Sequence, residues 1–236
     1  RTDPRVVANV AQLEGRQPSP VYHRATCRFI QNRPRLRETY IQQAYVKLIE
    51  RARKEVLIAN AYFVPTPTVA TALTDAAKRC VAIRLISNSP ETNDLPEISL
   101  VGRGHYKTLL AVNESPEVAA CANDDAGIRI WEWIGRSPSE AERHQGTMHS
   151  KFAVIDGERG LVGSYNLDPR SEKLNSETAV VFLQPVLSAE LRRKFLENDL
   201  KYSREVTPEM AAEFEAPSSV IERFRKTLGG LFEDHL

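Results

Sequence analysis

Apolar residues recur with two alternating periods in the first half of the chain. Residues 40–52 and 68–78 carry apolar side chains every three or four positions, which predicts two amphipathic helices. Each helix is followed by a short run that is apolar at residues 56–59 and apolar except for Arg84 at residues 81–86, as is typical of buried strands. The repeated order of helix and strand predicts an α/β fold, an α/β/α sandwich with a mixed, mainly parallel central sheet.

The rest of the chain extends this pattern. Further elements are predicted as a helix at 100–112, strands at 127–131 and 178–183, and a helix at 189–202, with loops at 113–126 and 135–145. The domain organisation that we predict has three parts: an irregular, proline-bearing lead-in or inter-domain linker at 1–34, one α/β domain at 35–202, and a helical tail at 203–236. The tail contains an amphipathic stripe that either packs on its own domain or makes peripheral membrane contact.

Composition narrows the class of protein only slightly. The 236 residues are 42% hydrophobic with a formal net charge of +1, which is ordinary for a globular protein and gives no support for non-specific nucleic-acid binding. No apolar run reaches the roughly 18 residues of a membrane span. Three widely spaced cysteines (Cys27, Cys80 and Cys121) form no CxxC pair, so we expect free thiols rather than a disulfide framework or a zinc site.

The segment from residue 149 to residue 166 carries the candidate chemistry. Its apolar interior and its central Asp156-Gly157 predict a β-hairpin. Because side chains alternate along a strand, His149 and Lys151 project from one face. The strand that follows them is apolar on both faces and therefore central, so this pair at its open end indicates function rather than packing.

Polar residues also occur on the return strand and on the strand after it. Ser164 and Asn166 lie two residues apart at the same end of the hairpin, and we expect the Glu177 carboxylate to reach the imidazole from a neighbouring strand. Asp156 lies an odd number of positions after His149, so its side chain is expected on the opposite face of the strand. We therefore assign it structural support of the turn, through an Asx turn or an ion pair. Asn175, just before Glu177, is a second supporting residue.

This set of side chains suits phosphodiester chemistry that uses neither a metal nor a cofactor. A neutral histidine can attack phosphorus and hold a covalent phosphoryl group. Lysine, amide and hydroxyl donors stabilise the charge that develops on the phosphoryl oxygens. A carboxylate on the second ring nitrogen fixes the tautomer and stabilises the imidazolium.

The same residues resemble a known family. His149-x-Lys151-x4-Asp156 matches the HKD signature of the phospholipase D superfamily, and Gly163-Ser164-x-Asn166 falls at the spacing of that family. The continuation through Asn175-x-Glu177 resembles the second half of bacterial cardiolipin synthases. Weaker matches are Ala61-Tyr62-Phe63-Val64-Pro65, and Ser87-Asn88-Ser89 with Asn93-Asp94, so that the resemblance covers residues 37–200.

The resemblance implies a two-step phosphoryl transfer through a phosphohistidine, with phospholipid as the substrate. It implies His149, Lys151, Ser164, Asn166 and Glu177 as the active-site residues. Members of the family use two HKD motifs, and this chain has one, so the resemblance implies that residues 35–202 are a phospholipase D-like catalytic half domain with one HKD motif. The partner is therefore either a second copy of the chain or a missing N-terminal HKD half, and the start at Arg1 favours the latter.

Two other functions stay open at this point. A homodimeric nuclease is disfavoured by the near-neutral charge, and an inactive half that serves as a binding module is the second alternative. The compartment is unknown, although a bacterial cytoplasmic or membrane-peripheral protein is favoured.

His105 is interpreted as part of a loop rather than a phosphate ligand, and Trp131 and Trp133 as core residues rather than the lining of a lipid cleft.

Overall fold

Eight strands form one sheet in the computed structural model, which describes residues 24–141 and 145–214. Their spatial order is β1-β7-β6-β5-β2-β3-β4-β8. The strands are β1 (Thr26–Asn32), β2 (Glu55–Asn60), β3 (Ala82–Asn88), β4 (Gly127–Trp133), β5 (Lys151–Ile155), β6 (Arg159–Gly163), β7 (Glu177–Leu183) and β8 (Ser203–Glu205). With helices on both faces, the predicted α/β sandwich with a mixed sheet is confirmed.

The expected predominance of parallel pairs is wrong. Among the pairs of named strands in the described residues, β2–β3 and β3–β4 are parallel, whereas β1–β7, β7–β6, β6–β5, β5–β2 and β4–β8 are antiparallel. Helical crossovers join β2, β3 and β4, and such connections produce parallel neighbours. The chain after β4 adds its strands mainly through a hairpin and return connections, which produce antiparallel neighbours.

The helices lie where they were predicted when the apolar periodicity is strong, and their bounds differ from the prediction where it is weak. They are α1 (Tyr40–Glu50), α2 (Pro67–Lys78), α3 (Pro96–Arg103), α4 (Tyr106–Leu110), α5 (Pro116–Ala119), α6 (Pro169–Lys173), α7 (Pro185–Arg193) and α8 (Pro208–Glu213). The single helix predicted at 100–112 is two helices, α3 and α4. The helix predicted at 189–202 begins at Pro185 and continues through a π-helical segment, Lys194–Asp199, into a short 3-10 helix.

Two strands occur where none was predicted. The lead-in is not irregular throughout, because β1 pairs with β7 along its whole length. The tail is not wholly helical, because β8 pairs with β4. Both are edge strands with few buried apolar side chains, which explains why the apolar pattern did not reveal them. The domain boundaries themselves stay a prediction, and the amphipathic stripe at 220–232 lies outside the described residues.

Apolar side chains on both faces of the sheet form two clusters. On one face, Val56 and Ile58 of β2 pack against α1 and α2, in a cluster that includes Tyr45. On the other face, Leu57 and Ala59 pack with Phe195 of the π-helical segment. Trp131 and Trp133 belong to the second cluster and are buried, so their interpretation as core residues is confirmed.

A disulfide joins Cys80 to Cys121 and corrects the expectation of three free thiols. Cys80 follows α2 and Cys121 follows α5, and the fold brings these helix ends together with the two Cα atoms 5.5 Å apart. The 41-residue separation in sequence hides this contact, because no local spacing encodes it. Cys27 is exposed on β1 as a free thiol.

Candidate active site

The predicted active-site residues meet where the central strands of the sheet begin or end, a rim that is called the site edge below. The strands β2 and β3 end there, at Asn60 and Asn88, and β5 begins there at Lys151, which pairs with Asn60. The strand β7 begins at the same edge with Glu177. The carboxyl ends of parallel strands are where open α/β sheets place their binding sites, so the location fits a functional cluster.

His149 lies just before β5 and Lys151 begins it, and the two side chains share a neighbour in Tyr62. The Lys151 ammonium donates a hydrogen bond to the His149 carbonyl oxygen at 3.1 Å. Both side chains also contact the ring of Tyr62: the imidazole meets it edge-on, with the centroids 6.4 Å apart, and the ammonium lies 5.8 Å from its centroid. His149 is exposed whereas Lys151 is buried, so the imidazole faces solvent above a secluded cation.

Asn88 holds the backbone that leads to His149. Its side-chain amide donates to the carbonyl oxygens of Met148 and Ala61, at 2.8 and 3.0 Å, and its Oδ1 accepts the Met148 N–H at 3.0 Å. Because Asn88 is fully buried, these bonds face no competition from water. One amide therefore fixes the two segments that carry Tyr62 and His149.

Glu177 binds two serines rather than the imidazole. Its Oε2 accepts a short hydrogen bond from the Ser164 hydroxyl, and its Oε1 accepts one from Ser171 at 3.0 Å. The expected contact between Glu177 and His149 is not formed among the described residues. Glu177 is buried at the start of β7, and both of its oxygens are occupied by nearer partners.

The backbone N–H groups of Asn166 and Asn175 add two hydrogen bonds around Ser171 and Arg170. The Asn166 N–H donates to the Ser171 hydroxyl at 3.1 Å, and the buried Asn166 Oδ1 has no hydrogen-bond partner among the described residues. The Asn175 N–H donates to the Arg170 carbonyl at 2.9 Å, which closes the turn before β7. Ser164 is exposed and therefore accessible to a substrate.

Burial and nearby carboxylates act in opposite directions on the Lys151 ammonium. Burial lowers the pKa of Lys151 below its ordinary value, and the negative charges of Glu177, Asp94 and Asp168 partly oppose this shift. Burial also raises the pKa of Asp168, whose Oδ1 accepts the Ser171 N–H at the start of α6. The site thus combines a secluded cation with several carboxylates.

Asp156 supports the hairpin at the opposite end of β5. Its carboxylate accepts the backbone N–H groups of Arg53, Lys54 and Glu55, at distances of 2.8 to 3.2 Å. Its own backbone has a φ of 55°, in the left-handed region that aspartate tolerates. Among the described residues these contacts are neither the Asx turn nor the ion pair that we expected, and a structural role for Asp156 stays a prediction.

Several residues of this edge were not predicted as site residues. Tyr62 touches both His149 and Lys151, and its hydroxyl donates to Asp94 at 2.5 Å. Asp168 and Ser171 hold Glu177 and the turn around it. A signal for Tyr62 and Asp94 existed, because both follow buried strands whose ends define this edge.

Of the four other histidines, His105 is the one that lies among the described residues. His105 precedes α4, and no contact among the described residues joins it to His149 or Lys151. Burial lowers the pKa of His105, which favours the neutral ring. His23, His144 and His235 lie outside the described residues.

Comparisons with known proteins agree with this fold. Residues 45–200 match the family model described as cardiolipin synthase, PLD-like domain. The probable cardiolipin synthase YwiE of Bacillus subtilis is 29% identical over 199 residues, which cover 84% of this chain and 34% of the relative. Cardiolipin synthase A of Proteus mirabilis is 30% identical over 166 residues, 70% of this chain and 29% of the relative. The chain thus spans about a third of the length of these relatives.

Solved structures show the same fold at low sequence identity. Phosphatidylserine synthase of Haemophilus influenzae superposes with a TM-score of 0.58 at 14% identity, covering 88% of this chain and 46% of the other. NucT of Helicobacter pylori gives a TM-score of 0.53 at 16% identity, covering 76% and 98%.

Fold and family match together define a phospholipase D-like α/β domain. Within that superfamily, the chain belongs to the family of the cardiolipin synthase PLD-like domain. The membership that the sequence motifs predicted is therefore confirmed. No helix in the described ranges 24–141 and 145–214 is long and apolar enough to cross a bilayer.

Proposed function

We propose that the chain supplies one half-site of a metal-independent phosphodiesterase or phosphatidyltransferase that acts on phospholipid. The observation that carries the proposal is the exposed imidazole of His149 and the buried ammonium of Lys151, which both contact the ring of Tyr62 at the open edge of the sheet. An accessible nucleophile next to a fixed cation is the arrangement that phosphoryl transfer requires.

The first step forms a bond between the histidine nitrogen and phosphorus and breaks the bond from phosphorus to the alcohol of the head group. The departing oxygen takes a proton from a general acid. In the second step a hydroxyl group of water or of a second lipid attacks phosphorus, its proton returns to that acid, and the nitrogen–phosphorus bond breaks. Lys151 and the donors around Ser164 and Asn166 stabilise the charge on the phosphoryl oxygens.

The general acid is assigned to the imidazole of a second HKD half. His149 and that imidazole would divide the roles of nucleophile and acid. The matched part of this chain covers only 34% and 29% of the two relatives, which is consistent with a further half in the complete protein. A second copy of this chain is the other source of the partner imidazole.

An assay with two substrates tests the proposal. Vesicles of phosphatidylglycerol and supercoiled plasmid are each incubated with the chain, alone and together with the preceding half, in the presence and absence of EDTA. We expect phosphatidic acid or diphosphatidylglycerol to form from the lipid, equally well in EDTA, while the plasmid stays intact. Cleavage of plasmid without turnover of lipid would instead identify a nuclease.

A further inference from the structure

Arg170 is an arginine at the site edge whose guanidinium forms no hydrogen bond or ion pair within residues 24–141 and 145–214. It lies in the first turn of α6, after the capping residue Asp168 and Pro169. Its carbonyl oxygen accepts the N–H groups of Leu174 and Asn175, at 2.8 and 2.9 Å. The backbone of Arg170 is therefore fixed within the turn that leads to Glu177.

The Arg170 side chain is half-buried and forms no ion pair with the part of the chain that the structure describes. Its Nε is shielded from solvent and has no hydrogen-bond partner among the described residues. Arg159 and Arg204 also have a shielded Nε, but each binds a carboxylate through Nη2, at 3.2 and 3.1 Å. A half-buried guanidinium without such a bond loses hydration without a direct hydrogen bond in return, unless a ligand supplies the acceptor.

The positive charge of Arg170 influences the pKa of two other residues of the site. It lowers the pKa of Asp168 and of Tyr62, against the larger rise that burial causes in each. The ring of Tyr62 also contacts His149 and Lys151. The guanidinium therefore belongs to the edge where the substrate is proposed to bind.

Transfer between two phospholipids brings two phosphodiesters to the site, because donor and acceptor each carry one. The Lys151 ammonium is bonded to the His149 carbonyl oxygen and is assigned to the phosphorus that reacts. A guanidinium binds two phosphate oxygens at once through its planar fork, which suits a phosphate that is positioned but does not react.

We infer that Arg170 binds the phosphodiester of the acceptor phospholipid and so selects an anionic lipid over water or a neutral alcohol. This inference rests on the proposed function, because it assigns the acceptor of the same reaction. It makes Arg170 a specificity-determining residue, distinct from the groups that serve the reacting phosphorus.

The partition of one phosphatidyl group among three acceptors tests this inference. The active assembly is given phosphatidylglycerol vesicles with labelled glycerol in the buffer, so that phosphatidylglycerol, glycerol and water compete for one donor step. In Arg170→Gln we expect the ratio of diphosphatidylglycerol to the other two products to fall about 10- to 100-fold, as for the loss of a charged hydrogen bond. Lys173→Gln removes an equal charge from an exposed position of α6 and should leave the ratio within about threefold.

Two results would overturn the inference. An unchanged ratio in Arg170→Gln means that the guanidinium does not hold the acceptor. An equal fall in all three products at an unchanged ratio means that it serves the donor. Arg170→Lys keeps the positive charge and should recover part of the ratio, which guards against a variant that simply folds badly.

A binding measurement separates this inference from the proposed function. Dihexanoyl phosphatidylglycerol is titrated into Lys151→Gln, in which the donor cation is absent, and into Lys151→Gln with Arg170→Gln. Binding to the first variant and its loss in the second supports the Arg170 subsite even if no turnover is found. Equal binding to both variants contradicts it.

Discussion

Asn88 links the position of the nucleophile to a buried hydrogen-bond network. Asn88→Ala should lower the free energy of unfolding by about 2–3 kcal/mol, because the Met148 N–H and two carbonyl groups lose their partner. Activity per folded molecule should also fall, because the segment before His149 is no longer held. Urea denaturation and turnover at saturating lipid measure the two effects.

Asn113 provides the matched control for this prediction. It makes the same kind of bonds, donating to the Ile128 carbonyl and accepting the Ile128 N–H, both at 2.8 Å, near the opposite end of the sheet. Asn113→Ala should cost stability but leave turnover per folded molecule unchanged. Equal loss of turnover in both variants would show that Asn88 acts only through global stability.

The lowered pKa of Lys151 predicts the alkaline limit of activity. Because burial favours the neutral amine, Lys151 loses its proton at a lower pH than the value of about 10.4 for a free lysine, and activity should decline as pH rises through that lowered value. Arginine keeps its charge at such pH, so Lys151→Arg should retain its residual activity further into the alkaline range. A profile of kcat/KM against pH that is identical in shape for both proteins would contradict this.

The β5–β6 hairpin shows which elements the sequence could reveal. A strand that is apolar on both faces and a turn at Asp156-Gly157 were sufficient to predict its position and the common direction of His149 and Lys151. The partners of Glu177 were not predictable, because Ser164 and Ser171 reach it only through the turn that α6 forms. The strand β1 and the Cys80–Cys121 disulfide escaped prediction because both depend on contacts between distant segments.

Asp156 is expected to stabilise the hairpin without taking part in chemistry. Asp156→Ala removes the acceptor of three backbone N–H groups and places alanine at a positive φ, so we expect a loss of about 2–4 kcal/mol in the free energy of unfolding. Asp156→Asn tolerates that φ and keeps one acceptor oxygen, so it should lose less. Turnover per folded molecule should be unchanged in both, and a specific loss of turnover would place Asp156 in the catalytic machinery.

At the scale of the whole molecule, the disulfide closes a long loop across the β3–β4 crossover. Cross-linking residues separated by 41 positions should contribute about 2–4 kcal/mol to the free energy of unfolding. Urea denaturation with and without reductant measures this contribution, and alkylation followed by intact mass verifies the thiol count. Cys27→Ser removes the exposed free thiol and should change nothing, whereas equal stability of the oxidised and reduced protein would contradict the prediction.

The complete active site requires a second imidazole in this account, whichever half supplies it. If a second copy of the chain completes the site, specific activity should rise with protein concentration as the dimer forms. If another half of the protein completes it, the chain alone should be inactive at every concentration and gain activity when that half is added. Turnover measured over a wide range of concentrations, with light scattering in parallel, distinguishes the two.

The most direct test of the central claim compares the two described histidines in the assembly that turns over phospholipid. His149→Asn should reduce turnover by at least about a thousandfold while the protein stays folded, because the imidazole acts either as nucleophile or as general acid. His105→Asn, which changes a histidine with no described contact to the site, should stay within about threefold of the unmodified chain. Turnover by His149→Asn within tenfold of the unmodified chain would contradict the account.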